Sequence, residues 1–260
     1  MKVNLWKPTM ALWWREMVRF VRQRSRIFGA LGQPVIFWFL LGGGLGGAFQ
    51  LPASMGNVSY LQYLFPGILI LIVLFTAIFS TISIIEDRQS GFLQSVLVAP
   101  MPRSGIVLGK VLGGTTLALI QSLILLVALP FMGMTLTVGM VLELVVVLFV
   151  LSFTLTSLGY VIAWPMESTQ GFHSIMNVFL IPMWLLSGAF FPAEGLPKWL
   201  SWIMVINPLT YGMDLVRSAL DIAPEAGAPS PCTAWIITLG FLLVIFTLAL
   251  WLTRQRRNSK

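Results

Sequence analysis

Six runs of apolar residues, each long enough to cross a lipid bilayer, constrain the fold of this 260-residue chain more than any other feature. About 20 apolar residues in a helix span the roughly 30 Å hydrocarbon core of a membrane. In hydrocarbon every backbone N–H and C=O must be hydrogen-bonded within its own element, so each run predicts a helix. The six predicted spans are Ile27–Phe49, Leu61–Ile85, Ile106–Met134, Val138–Trp164, Phe172–Phe191 and Ala234–Leu252. The sequence therefore predicts an all-α integral membrane protein with six transmembrane helices.

The composition agrees with a membrane protein. Only 10% of the residues are charged, 57% are hydrophobic, and the mean hydropathy is +0.90. Soluble domains carry about 25% charged residues, so a water-soluble globule of this size is excluded. Six spans leave room for one membrane domain with short flanking segments. We predict a cytoplasmic amphipathic helical segment at 1–26, a six-span transmembrane domain at 27–252 and a basic tail at 253–260.

Basic residues are concentrated on one side of the predicted spans. The net charge is +7, and all of the 16 Lys and Arg residues except Lys198 and Arg217 lie in the N-terminal segment, around the connection between spans two and three, or in the tail. The positive-inside rule therefore predicts a multi-pass protein of the plasma (inner) membrane with both termini in the cytoplasm. These charges also favour contact with anionic membrane lipid, and their placement gives no indication of nucleic-acid binding.

The N-terminal segment predicts an amphipathic helix over Leu5–Val21. At about 100° per residue, one face is apolar and the opposite face is basic. The apolar positions are Trp6, Met10, Trp13, Trp14, Met17 and Val21, and the basic positions are Arg15, Arg19, Arg22 and Arg26. Aromatic residues on one face and guanidinium groups on the other are typical of a helix that lies flat in the headgroup layer of a membrane.

The predicted cytoplasmic loop over residues 86–105 carries an apolar helical face. Its members are Phe92, Leu93, Val96 and Leu97. An apolar helix face outside the hydrocarbon needs a groove, which either a partner protein or the lipid surface can supply. We predict that the face docks a partner, and burial in lipid stays the alternative.

Few polar side chains fall within the spans. Those that could line a transport pathway are Thr76, Ser80, Ser83, Ser152, Thr156 and Asn177. Small polar residues also hold membrane helices together, so packing and pathway lining both remain open. Glu143 is the one carboxylate placed inside a predicted span, and it leaves a proton-coupled secondary transporter or a channel as an alternative function.

The chain shows no nucleotide or metal motif of its own. The stretch Gly105-Ile-Val-Leu-Gly109-Lys110-Val111 is one residue shorter than a phosphate-binding loop, and Val111 replaces the Ser or Thr that holds magnesium. His173 and Cys232 each stand alone, so neither predicts a metal site. We predict that the chain is not an enzyme, with no catalytic, cofactor-binding or metal-binding residue.

The segment between spans five and six, residues 192–233, is predicted to lie outside the cell. Its first part is apolar but too short to span and is bracketed by prolines, which predicts short helices at the outer leaflet. A further helix follows Pro208. There Asp214, Arg217 and Asp221 have the spacing of helical ion pairs.

Two stretches of the sequence resemble the membrane subunits of type-2 ABC exporters. The first runs through Leu180, Met183, Leu186-Ser187-Gly188-Ala189, Leu196-Pro197, Pro208-Leu209-Thr210-Tyr211 and Arg217. The second runs through Glu86-Asp87-Arg88, Gly91-Phe92-Leu93, Ala99-Pro100-Met101-Pro102-Arg103 and Gly109-Lys110. The order of elements along the whole chain also resembles that family.

The resemblance implies a half-transporter. A second permease subunit, expected to form a homodimer, would enclose the pathway, and two copies of a separate ABC ATP-binding subunit would hold ATP and magnesium. The implied ATPase-docking residues are Glu86, Arg88, Gly91, Phe92, Leu93, Val96, Leu97, Pro100, Pro102 and Arg103. The implied external signature is Leu196, Pro197, Pro208, Tyr211 and Arg217. The expected cargo is a hydrophobic drug, a lipid-linked molecule or a glycoconjugate.

Overall fold

The computed structural model describes residues 5–44, 59–190, 197–222, 224 and 227–255. None of these residues forms a strand, so the prediction of an all-α protein is confirmed. The helices are α1 (Trp6–Arg22), α2 (Arg24–Gly44), α3 (Tyr60–Ser80), α4 (Ile82–Gln89), α5 (Phe92–Val98), α6 (Arg103–Leu125), α7 (Val138–Ala163), α8 (Thr169–Trp184), α9 (Lys198–Ile206), α10 (Pro208–Ala219) and α11 (Pro231–Gln255). A 3₁₀ segment, Leu126–Met132, extends α6, and a π-helical turn, Leu185–Ala189, extends α8.

Five helical stretches are long and apolar enough to cross a membrane. They are Tyr60–Gln89, Arg103–Met132, Val138–Ala163, Thr169–Ala189 and Pro231–Gln255. The first predicted span corresponds to α2, whose apolar part is Pro34–Gly44, and the remainder of that span falls on residues 45–49, outside the described part of the chain. The count of six spans therefore stays a prediction.

Helix α3 forms the centre of the bundle. It packs against α2, α6, α7 and α10, and most of its side chains are buried. A helix that is apolar on all sides is expected in the interior of a bundle. Where α3 meets the π-helical turn, Gly67 allows close approach, because a Cβ there would lie 2.7 Å from the Ala189 carbonyl oxygen.

Helix α1 packs along the first half of α6. Thr9, Leu12 and Glu16 of α1 are buried on a stripe of glycines spaced four residues apart in α6. A Cβ at Gly109 would lie 2.8 Å from the Leu12 Cβ, and one at Gly113 would lie 2.9 Å from the Glu16 Cβ. Small residues at this spacing let two helix backbones approach closely. The sequence that resembles a shortened phosphate loop is therefore a helix-packing surface.

The apolar side of α1 remains exposed at Trp6, Met10 and Trp14. Trp13 differs, because it is partly buried and its Nε1 donates to Thr116 Oγ1 at 3.0 Å. Arg15, predicted to face water, points into the protein. The lipid-headgroup position of α1 stays a prediction.

The connection between the second and third spans differs from the predicted loop. Helix α4 continues to Gln89, so Glu86 and Arg88 belong to a helix. Gly91 has a left-handed φ of 75°, which permits the sharp reversal into α5. Pro102 then precedes α6, whose first residue is Arg103.

The two ends of the bundle differ in character. At one end, Arg103 Nη1 donates to the Thr253 carbonyl at 2.6 Å, and Thr9 lies against Gly105, so α1 and the end of α11 lie together. At the other end lie the π-helical turn and the short helices α9 and α10. These match the short helices predicted before the last span.

Candidate docking surface and transport pathway

An ion cluster joins α1, α4 and α6 at the end of the bundle that carries α1. Lys110 Nζ lies 2.5 Å from Glu16 Oε1 and 2.5 Å from Asp87 Oδ2, and it also donates to Ser83 Oγ at 3.1 Å. The side chains of Lys110, Glu16 and Asp87 are 4%, 6% and 1% exposed. Buried ions are retained only when each is paired and hydrogen-bonded. This arrangement meets that requirement.

Two arginines of α1 complete the ion cluster. Arg15 binds both carboxylate oxygens of Asp87, at 2.8 and 2.7 Å, in a forked geometry that is strong and directional. Arg19 contacts Asp87 Oδ1 at 3.1 Å and Glu86 Oε2 at 2.5 Å. The hydrogen bonds to Asp87 raise the pKa of the Arg15 guanidinium, against the lowering effect of its partial burial. We define the ion cluster as these three cations and three carboxylates, Arg15, Arg19, Lys110, Glu16, Glu86 and Asp87.

The ion cluster was not predicted from the sequence. Lys110 entered the charge count, the comparison with a phosphate-binding loop and the family resemblance but was given no ion-pair partner, although an ionisable residue within an apolar run is a signal for a partner nearby. Glu86 was assigned to a docking loop, and the structure instead places it in α4, bound to Arg19. The signal available in the sequence was the pair of opposite charges, Asp87 and Lys110, at the adjoining ends of two consecutive spans.

Helix α5 turns its apolar side toward its own protein. Leu93, predicted as a docking contact, is 4% exposed and belongs to the hydrophobic core. Phe92 lies under the Arg15 guanidinium, whose Cζ is 3.7 Å from the ring centroid, and Val96 and Leu97 are half-buried. Val98 is 87% exposed. The side of α5 that a partner could reach therefore carries Val98 and the neighbouring Pro100, and a docking role for α5 stays a prediction.

Two basic residues of the predicted docking set bind helix ends. The Arg88 guanidinium donates to the Trp164 and Met166 carbonyls and lies over the Trp164 ring, just beyond the last residue of α7. Arg103 donates to the Thr253 carbonyl near the end of α11. Cations are favourable at helix C-termini, where carbonyl groups lack partners. Both arginines thus fix the ends of spanning helices.

A cavity of about 400 Å³ opens between α1, α3 and α8. We call it the α3–α8 cavity, and its lining residues are Phe20, Gly29, Phe75, Thr76, Phe79, Ser80, Ile82, Glu86, Thr169 and His173. Of the predicted pathway residues, it brings together Thr76 and Ser80. Ser83 lies beside the ion cluster instead, where its hydroxyl oxygen accepts a hydrogen bond from Lys110 Nζ.

The other predicted pathway residues lie elsewhere. Ser152 and Thr156 are fully buried on α7, where Thr156 Oγ1 donates to the Ser152 carbonyl at 2.7 Å. This environment fits the packing interpretation that the sequence left open. Asn177 is exposed on α8, on the same side as His173 and Ser174. Sequence reasoning missed Gln121 of α6, which is 3% exposed and accepts a hydrogen bond from Thr76 Oγ1 at 2.6 Å.

The predicted external signature surrounds the break in α8. The π-helical turn, with Gly188 at a left-handed φ of 82°, leaves carbonyls without helical partners. Asn207 Nδ2 donates to the Met183 and Leu186 carbonyls at 2.6 and 3.1 Å, and Arg217 Nη2 donates to the Gly188 carbonyl at 2.7 Å. The side chains of Arg217 in α10 and of its N-cap residue Asn207 thus supply hydrogen-bond donors to carbonyls at the break in α8.

Arg217 is 3% exposed, and its Cζ lies 4.9 Å from the centre of the Tyr63 ring. Pro197 is the residue before α9, and Pro208 is the first residue of α10. Tyr211 Oη of α10 donates to the Val205 carbonyl of α9 at 2.7 Å. Leu196 lies outside the described residues. The ion pairs of Arg217 with Asp214 and Asp221 stay predictions.

The sequence matches the family profile described as ABC-2 type transporter over residues 8–220. That range includes α1, the ion cluster, α5, the α3–α8 cavity and the external signature. The chain belongs to the ABC-2 type transporter family. The resemblance stated from the sequence is thereby confirmed.

Curated relatives extend over most of this ABC-2 family chain. It is 29% identical over 210 residues to a putative transport permease ycf38 of Cyanophora paradoxa, covering 78% of this chain and 70% of the relative. It is 26% identical over 250 residues to nodulation protein J of Rhizobium leguminosarum bv. viciae, covering 95% and 94%. It is 27% identical over 208 residues to ABC transporter G family member 20 of Dictyostelium discoideum, covering 78% of this chain and 28% of that protein.

Proposed function

We propose that the chain is the permease subunit of an ATP-driven exporter whose ATP and magnesium are bound by a separate ABC ATPase subunit. The observation that carries this proposal is the ion cluster. It fixes α4 to α1 and α6, so a movement of the adjoining α5 would be passed to two further elements of the bundle. Membership in the ABC-2 type transporter family supports an ABC ATPase as the partner that moves α5.

A second permease copy is part of the proposal. The stretch Thr169–Ala189, long and apolar enough to span a membrane, exposes the side-chain amides of Gln170 and Asn177 on the isolated chain. A polar side chain facing hydrocarbon without a partner is costly. A homodimer that turns these side chains toward one another, or toward a shared aqueous pathway, removes that cost. Two ATPase copies would then serve two permeases.

The proposed orientation places the ion cluster and both termini in the cytoplasm of an inner-membrane protein. The positive-inside rule supports this orientation. The proposed direction of transport is outward, with a hydrophobic drug, a lipid-linked molecule or a glycoconjugate as cargo. ATP binding to the ATPase pair would favour one of two permease conformations by its differential affinity for them.

The test is co-purification and reconstitution. We expect the tagged permease, isolated from its native membrane in mild detergent, to retain an ABC ATPase, and the complex in proteoliposomes to hydrolyse ATP. A homodimer is expected by cross-linking of the purified permease. Retention of no ATPase, combined with transport that follows a proton gradient, would contradict the proposal and favour a secondary transporter.

A further inference from the structure

The Asn177 amide differs from the hydroxyls that the spanning helices expose. The Ser174 hydroxyl donates to the Gln170 carbonyl at 3.2 Å, and the Thr247 hydroxyl of α11 donates to the Leu243 carbonyl at 2.8 Å. A hydroxyl that bonds back to its own helix has its donor satisfied without any outside partner. The Asn177 amide, by contrast, makes no hydrogen bond to any residue in the described part of the chain.

Asn177 also lies at a depth where a polar group is costly. It is the ninth of the 21 residues in the spanning stretch Thr169–Ala189, about 12 Å along the helix from its start. The hydrocarbon core is about 30 Å thick, so the amide lies near its middle. An amide carries two donors and an acceptor oxygen, and hydrocarbon satisfies none of them. A polar partner from outside the chain removes this cost.

Asn177 belongs to an exposed row of residues that has the spacing of a coiled coil. We call this row the α8 seam, and its members are Gln170, Ser174, Asn177 and Ile181, all of them exposed. Their intervals of four, three and four residues are those between the a and d positions of a heptad. The buried side of α8 packs against α3 and α4. Because a and d positions are those along which two helices interlock, the α8 seam indicates a helix as its partner.

The geometry and chemistry of the α8 seam fit a second copy of this chain. Two copies inserted in the same orientation are related by a twofold axis along the membrane normal, so their α8 helices run parallel. In a parallel, twofold-symmetric pair each a or d residue meets its own counterpart. An amide is self-complementary, because the N–H group of each copy can donate to the amide oxygen of the other. A second copy therefore satisfies the donor and the acceptor of Asn177 together.

From these features we propose that a second copy of the chain docks along the α8 seam and that the two Asn177 amides pair at its centre. The inference rests on the proposed function, because it names the surface on which the proposed homodimer forms. The small side chain of Ser174 lets the two backbones approach closely. A single polar residue at such a position fixes the register of two helices.

Symmetric disulfide cross-linking tests the α8 seam. Single cysteines are introduced into a Cys232→Ser background, and native membranes are oxidised with copper phenanthroline. We expect Asn177→Cys and Ile181→Cys to form dimers on non-reducing gels, because facing a or d positions bring two Cα atoms within reach of a disulfide. Phe179→Cys, at a 66% exposed residue of similar depth on another side of α8, is the matched control and should stay monomeric.

Two outcomes of this experiment overturn the proposal. One is the formation of dimers through Phe179→Cys, or through neither cysteine of the α8 seam. The other is reaction of Asn177→Cys with a water-soluble methanethiosulfonate reagent without any disulfide, which would mean that Asn177 faces an aqueous pathway.

The amide pair has a test of its own. Permease labelled at Cys232 with a donor or an acceptor dye is reconstituted in proteoliposomes, and energy transfer is followed as the lipid-to-protein ratio is raised. Asn177→Leu removes the amide at similar size and is expected to weaken self-association about tenfold. Thr247→Val, at an exposed hydroxyl bonded to its own helix, is the control and should leave self-association unchanged. Unchanged self-association of Asn177→Leu overturns the amide pair.

The outcomes separate the α8 seam from the proposed function. A permease that retains an active ABC ATPase but forms no cross-link along the α8 seam contradicts the seam alone. A permease that cross-links through Asn177→Cys but retains no ATPase supports the seam and contradicts ATP-driven export.

Discussion

Asp87 Oδ2 and Lys110 Nζ lie 2.5 Å apart across two helices, and the side chains are 1% and 4% exposed. Asp87 lies two residues before the end of the stretch Tyr60–Gln89 that contains the central helix α3, and Lys110 is the eighth residue of α6. Because Glu16 and Arg15 of α1 contact the same two groups, α1 cannot shift along α6 without breaking contacts to α4. Charged side chains of α1, α4 and α6 thus bind one another at this pair.

Removal of Lys110 alone is expected to be strongly destabilising. Lys110→Met leaves Glu16 and one side of Asp87 without their shared cation, and breaking a buried pair on one side costs about 3–5 kcal/mol. We expect a clear fall in the melting temperature of the detergent-purified protein.

The double variant Glu16→Leu with Lys110→Met is the control for that prediction. It removes one charge of each sign while Arg15 and Arg19 still compensate Asp87. Replacing a buried ion pair with apolar residues is often neutral. We expect the double variant to recover most of the lost stability, and equal destabilisation of the single and double variants would contradict the pairing.

The glycine stripe on α6 is expected to tolerate no large side chain. Gly109→Leu should push α1 away, since even a Cβ there lies 2.8 Å from the Leu12 Cβ and 3.0 Å from the Thr9 carbonyl. The measurement is disulfide cross-linking of Thr9→Cys with Gly105→Cys in a Cys232→Ser background, which we expect Gly109→Leu to abolish. Gly240→Leu in α11, where nothing lies within 4 Å, should leave the cross-link intact. Efficient cross-linking in Gly109→Leu would show that α1 is not held there.

Two substitutions in α5 are expected to have different effects. Leu93→Asp places a carboxylate in the core and should prevent accumulation of the folded protein. Val98→Asp changes an 87% exposed side chain, so the protein should fold and lose its ATPase partner. Val138→Asp, at a 78% exposed valine at the start of α7, is the matched control and should retain the partner. Retention of the ATPase by Val98→Asp would contradict the docking assignment of this side of α5.

Arg217 is expected to stabilise the break in α8. Arg217→Ala removes the donor to the Gly188 carbonyl in a buried setting, and we expect a loss of about 2–4 kcal/mol in thermal unfolding experiments. Arg22→Ala, at an exposed position of α1, should change stability little. An Arg217→Ala protein as stable as the parent would mean that Asn207 suffices to hold the turn.

Cys232 provides a test of orientation. It is the sole cysteine of the sequence, it is exposed, and it lies in the first turn of α11, at the end of that helix away from Thr253. With both termini cytoplasmic, an impermeant maleimide should label Cys232 in intact spheroplasts. Labelling only after membrane permeabilisation would reverse the proposed topology.

The sequence by itself determined the all-α membrane class, the places of the long helices and the family. These follow from local properties, because the length of an apolar run and the cost of an unpaired backbone group in lipid act within one segment. The short helices that begin beside Pro197 and at Pro208 were also predicted, since proline restricts the backbone at its own position. The break near Gly188 was not predicted, because the apolar run Phe172–Phe191 continues through it.

Only the tertiary structure decided which polar groups share a site. Asp87 and Lys110 are 23 residues apart, and Glu16 lies a further 71 residues before Asp87, so their union depends on helix packing that no local pattern encodes. The same packing turned Leu93 inward, brought Ser83 within hydrogen-bond distance of Lys110 and placed Gln121, which was not predicted, against Thr76. Side-chain periodicity identifies the faces of a helix, and only the neighbouring helices determine which face becomes core, pathway or docking surface.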